Sequence, residues 1–116
     1  MKSAVTSDKS KIEKAKSHIL IEIIEYIPNS VVSKTIFKKL TGNVSVMSFD
    51  TGVGMSEKTS PFDTILQIIE GKANIIINKV SNLLHTGQVI IIPAHSPSQI
   101  VPNGRFKMIS TVIKSG

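Results

Sequence analysis

From Ser30 onward the chain alternates short apolar or β-branched runs with clusters of turn residues. Val31 to Leu40, Val44 to Phe49, Thr64 to Ile69, Ala73 to Ile77, Leu83-Leu84, Val89 to Ile92, Gln99 to Val101 and Phe106 to Ile113 read as strands. Gly42-Asn43, Asp50 to Gly54, Glu70-Gly71, Asn78 to Asn82, His85-Thr86-Gly87 and Pro102-Asn103-Gly104 read as the turns between them. Short strands spaced by roughly 8 to 12 residues predict an all-β sandwich or barrel. Gly52, Gly71 and Gly87 stand where a strand ends and the backbone must reverse, which calls for positive φ or close approach. Pro93 follows the run Val89 to Ile92, where a missing N–H costs the ladder least.

Ahead of the strands, residues 1–16 are rich in Lys and Ser and too polar to bury a face. They read as a frayed or helical N-terminal extension, leaving residues 17–116 as the barrel domain. Between His18 and Tyr26 the apolar residues crowd together, and a short helix and a strand both fit; Pro28-Asn29 then turns the chain. At 116 residues and 41% hydrophobic, the sequence suits one domain. A domain of this size buries only about two-thirds of its unfolded surface, so an apolar sheet face gains from pairing, and a homodimer is expected.

Charge and composition narrow the chemistry. Zero cysteines exclude thiolate nucleophiles, disulfides and cysteine-held zinc. His18, His85 and His95 are the only histidines, and no two share the spacing that puts both imidazoles on one face of a strand or helix. The greasiest stretch, Ile19 to Ile27, is short and broken by Glu22 and Glu25, so no membrane span is expected. Without a recognisable signal-peptide pattern at the N-terminus, a cytoplasmic protein is expected. The net charge of +6 raises nucleic acid as a partner, yet eight of the fourteen basic residues lie in residues 1–41. With a single arginine, no Trp and 4% aromatics, base reading and base stacking have little to work with, and nucleic acid is not the expected partner.

Two segments resemble the paired motifs of the cupin superfamily. The first motif, G-x5-H-x-H-x3-E-x6-G, finds its intervals in Gly52, Lys58, Ser60, Thr64 and Gly71. The second, G-x5-P-x-G-x2-H-x3-N, finds them in Gly87, Pro93, His95, Ser98 and Pro102. Phe49-Asp50-Thr51-Gly52, Pro61-Phe62-Asp63, Glu70-Gly71 and Phe106-Lys107-Met108 are similar to stretches of the small single-domain cupins, and the likeness spans about residues 27–113. It implies an all-β, single-domain jelly-roll β-barrel behind the N-terminal extension.

In that family the two histidines, the glutamate and the second-motif histidine hold one divalent metal inside the barrel. Here Lys58, Ser60, Thr64 and Ser98 occupy those places; none suits a transition metal, and a protonated Lys58 repels a cation. Asp63, His85 and His95 read as surface or loop residues, because alternation turns Asp63 away when Ser60 and Thr64 face in. Neither a metal nor any other cofactor is expected.

Strand alternation places Leu66, Ile68 and Ile100 with the same interior. Two interiors fit: side chains that fill the barrel, leaving a scaffold, or a pocket for a small ligand bearing a carboxylate or hydroxyl group. The non-catalytic module is the leading expectation. The alternative is a metal-independent isomerase or epimerase using Lys58 or His95, since some cupins work without metal.

Overall fold

The computed structural model describes residues 4–8 and 12–114. Its strands are β1 (Ala4–Asp8), β2 (Ser30–Lys39), β3 (Gly42–Phe49), β4 (Met55–Lys58), β5 (Asp63–Glu70), β6 (Lys72–Ile77), β7 (Val80–His85), β8 (Val89–Ile92), β9 (Ser98–Val101) and β10 (Phe106–Ile113). A single helical turn, α1 (Leu20–Ile23), precedes β2. The strands form a six-stranded sheet in the order β1-β2-β3-β10-β5-β8 and a four-stranded sheet in the order β4-β9-β6-β7. The two sheets enclose one core in the jelly-roll barrel arrangement.

Three local readings change. Ala4–Asp8, expected to be frayed or helical, forms β1 and pairs parallel with β2, from Ala4 opposite Ser30 to Asp8 opposite Lys34. The rest of the polar stretch at residues 1–3 and 9–11 lies outside the described residues. Asn78 and Lys79, with φ of 50° and 67°, complete their turn in two residues, so β7 starts at Val80 rather than beyond Asn82. Such primed turns match the twist of the strands they join. Met55–Lys58 forms β4, which the local pattern conceals because three of its four residues are polar and exposed. Its ladder lies against β9, where Met55 is opposite Ile100 and Lys58 opposite Ser98.

The core between the sheets is closed at one end by Phe49 and Phe106, whose rings stack at 4.4 Å between centroids. They sit opposite each other in the β3–β10 ladder and are fully buried. Val31, Ile68, Ala73 and Ile75 pack in the same cluster with no solvent exposure. Gly71 turns β5 into β6 with φ of 83°, and a Cβ there would lie 2.6 Å from the Arg105 carbonyl oxygen, so both conformation and space exclude a side chain.

The outer face of the six-stranded sheet carries a second cluster. Ile24 is buried against Val32 and Val46, with Leu20, Ile23, Ile36, Ile69 and Ile109 packed around them. The segment from α1 to Asn29 is thus a strap over the sheet, and polar contacts fasten it along its length. Lys107 Nζ donates to the Ile21 carbonyl, and Ser48 Oγ donates to the Glu25 carbonyl at 2.9 Å. The Tyr26 hydroxyl donates to Glu70 Oε2 at 2.6 Å, and the Asn29 amide donates to Asp50 Oδ2 at 2.7 Å. Arg105 Nε donates to the other Asp50 oxygen at 2.8 Å, while its guanidinium and the Lys107 ammonium each lie 5.0 Å from the Tyr26 ring. Lys107 is only 7% exposed, so its stem packs as apolar surface while its charge meets a carbonyl and Glu70.

These contacts set two proton affinities. The Asn29 amide, then the Arg105 guanidinium and the Thr51 amide, hold the Asp50 carboxyl below its usual range. Burial, reinforced by the bond to Glu70, pushes the Tyr26 phenol well up. A carboxyl whose folded pKa is depressed favours the fold above its unfolded pKa of about 3.9 and loses that contribution as pH falls through the folded value. Asp50→Asn should therefore lower stability at pH 7 and flatten the acid limb below about pH 4. Urea titrations of both proteins at pH 7 and pH 3 check this; parallel losses of stability between the two pH values would contradict it.

Candidate functional site

Along four strands the inward-facing side chains change character in the same direction. On β10 they run Phe106, Met108, Ser110; on β3, Phe49, Met47, Ser45; on β5, Ile68, Leu66, Thr64; on β9, Ile100, Ser98. Antiparallel registers place Ser110 opposite both Ser45 and Leu66, so small hydroxyl residues gather at the end away from the phenylalanine stack. Small residues there leave space. A cavity of about 90 Å³ opens, lined on its apolar side by residues including Met47, Met55, Leu66, Ile75, Ile100 and Met108, and on its polar side by Lys58, Ser60, Thr64, Ser98 and Ser110.

The four positions that match the family's metal ligands therefore border one space. Lys58 is exposed at its edge, Ser60 and Thr64 are half-buried, and Ser98 is buried at 8% exposure. Leu66, Ile100 and Pro93 also line it. Ile68 does not: it faces the same way as Leu66 but lies nearer the phenylalanine stack, with no exposed surface, where the core is filled. Met47, Ile75, Met108 and Ser110 join the lining from β3, β6 and β10, and Met55 from β4. Alternation along β3 and β10 carries the signal for Met47, Met108 and Ser110, but their meeting depends on long-range pairing that local spacing does not contain.

The loops around the mouth are held by backbone groups. His95 stands where the second motif has glycine, and its φ of 67° is the left-handed conformation that glycine adopts freely. Its amide donates to the Ser60 carbonyl at 2.7 Å, tying the two motif loops together. Asp63 Oδ1 accepts the Ala94 amide at 2.8 Å, which assigns that carboxylate to the same loop. Ser60 Oγ accepts the Phe62 amide at 3.1 Å. His95, His85 and Asp63 are exposed and do not line the cavity. Gly52 and Gly87 turn with φ of 80° and 90°.

A divalent metal does not fit this donor set. Three alcohols and an ammonium offer no anionic or imidazole ligand, and transition metals select imidazole, thiolate or carboxylate. Among the described residues no three His, Cys, Asp or Glu side chains come together as a metal site. No helix among them is long and apolar enough to cross a membrane.

No protein-family model matches the chain, and no curated protein matches its sequence. Solved structures do. A conserved protein of unknown function from Streptococcus pyogenes is 27% identical with a TM-score of 0.85, the match covering 93% of this chain and 95% of the other. A cupin superfamily protein from Desulfitobacterium hafniense is also 27% identical, with a TM-score of 0.83 over 91% of this chain and 97% of the other. A cupin 2 conserved barrel domain protein from Leptotrichia buccalis shares the fold at 23% identity and a TM-score of 0.78, over 81% of this chain and 46% of the other.

The convergence of the four positions can be read by restoring ligands. A variant carrying Lys58→His, Ser60→His, Thr64→Glu and Ser98→His should bind Ni or Zn in calorimetry, more weakly than natural sites because no supporting hydrogen bonds orient the new ligands. The parent should bind neither. A variant that folds by circular dichroism yet binds no metal would show that these side chains do not converge.

Proposed function

We propose that this chain, a small cupin-type protein, is a metal-free, non-catalytic binding module whose barrel holds a small molecule bearing a carboxylate or hydroxyl group. The observation that carries the reading is the cavity at the former ligand positions, with buried apolar walls and a hydroxyl-rich, lysine-edged mouth. Apolar pockets with a few placed polar groups are the usual form of ligand sites, though this one is smaller than the roughly 300–1,000 Å³ typical of drug-sized ligands. A pure scaffold has no need of such a space. Catalysis through Lys58 or His95 lacks geometric support: among the described residues no carboxylate or imidazole lines the cavity to serve as a base for Lys58, and His95 lies outside the lining.

A ligand-detected NMR screen of small polar fragments tests the reading. Binders should compete for one site and be lost in Ser110→Phe, which fills the space at a cost of about 1–3 kcal/mol in stability. A screen without binders, or binders indifferent to a folded Ser110→Phe variant, would point to the scaffold instead.

We further propose that the working unit is a homodimer joined through the outer face of β5, β8 and β10. Val89 and Ile91 on edge strand β8 are 56% and 60% exposed, Ile65 lies opposite Ile91, and Ile113 is 44% exposed on the same face. A contiguous apolar patch on an edge strand is a liability unless a partner covers it. Light scattering at micromolar concentration should show twice the chain mass for the parent and a monomer for Ile91→Lys; a monomeric parent would refute the dimer.

A further inference from the structure

The cavity is graded in polarity from floor to mouth. Leu66, Ile75 and Met108 are each no more than 4% exposed, while Ser56 and Lys58 are exposed and Ser60, Ser96 and Gln99 half-buried. Among the described residues lining it, Lys58 is the one charged side chain; no Asp, Glu or His contributes. We propose that the site selects short-chain monocarboxylates, with the carboxylate at the Lys58 mouth and the hydrocarbon tail on the Leu66, Ile75 and Met108 floor. This rests on the small-molecule-binding reading above and adds charge, orientation and length to it.

Charge follows from the donors. Lys58 supplies an ammonium and lies opposite Ser98 in the β4–β9 register. Because Ser60 Oγ already accepts the Phe62 amide, its hydroxyl proton is left to donate. A carboxylate takes charge-assisted bonds from such a group, a neutral alcohol takes only ordinary ones, and an alkylammonium meets repulsion with no counter-charge in the lining. The exposure of Lys58 keeps the preference for a carboxylate over the matching alcohol to about three- to tenfold.

Length follows from volume. An apolar cavity of ~150 Å³ accommodates benzene, with six carbons. The 90 Å³ here therefore suits a tail of roughly three to five carbons with the head group outside the floor. Met47, Met55 and Met108, three of the sequence's four methionines, line the space. Their unbranched, polarisable side chains adapt to a tail of variable shape.

Amide-detected NMR titration of the full chain tests this with acetate, valerate, decanoate, 1-pentanol and pentylamine. Valerate should bind tightest, shifting the Thr64, Leu66, Ser98 and Ile100 amides; 1-pentanol should bind more weakly, and pentylamine weakest. Lys58→Met should abolish the preference for valerate over 1-pentanol while leaving 1-pentanol in place, and Lys58→Arg should preserve it. Equal affinity for valerate and 1-pentanol in the parent, or a preference that survives in Lys58→Met, would overturn the anion selectivity alone. Tightest binding of decanoate would overturn the length limit. If no compound shifts the site, the binding reading itself fails.

Discussion

A β-strand turns every second side chain inward, so the interior of this small barrel is written in rows of two or three residues. Here the rows on β3, β5, β9 and β10 all lose bulk toward the same end. Phe49 and Phe106 stack where the rows begin, methionine and aliphatic residues follow, and serine and threonine finish. The closed end fixes how near the sheets approach, and small side chains beyond it cannot bridge that separation. The cavity is thus a consequence of the same packing that makes the fold stable.

The outside of the barrel is held by interactions that do not involve the cavity. Asp50, Glu70 and Lys107 fall within the stretches that resemble small cupins, and all three contact the strap or the residues that hold it. Asp50 receives both Asn29 and Arg105, and Glu70 receives Tyr26. These residues do structural work on the outer face, away from the cavity. The side chains that line the cavity can therefore vary without disturbing the interactions that hold the strap to the sheet.

Much of this was legible because it is local. Gly71 had to be glycine for its φ and its closeness to Arg105, and the runs from Val31 and from Phe106 carry the β-branched and alternating character of strands. Met55–Lys58 escaped because a short strand exposed on most of its length has no apolar pattern to show, and Ala4–Asp8 because its place is set by pairing with β2. Alternation puts Ile68 and Leu66 on the same inward face but not at the same depth, which is why Ile68 fills the core while Leu66 lines the cavity. The strap bond from Lys107 to the Ile21 carbonyl spans 86 residues, beyond the reach of any motif.

The barrel interior is open above a closed phenylalanine end. Xenon enters dry apolar cavities and leaves packed interiors untouched. Crystals of the parent protein under xenon pressure should show a bound atom between Leu66, Ile75 and Met108, with none beside the Phe49–Phe106 stack. A difference map with no xenon in that space, its side chains interdigitated across it, would contradict the account.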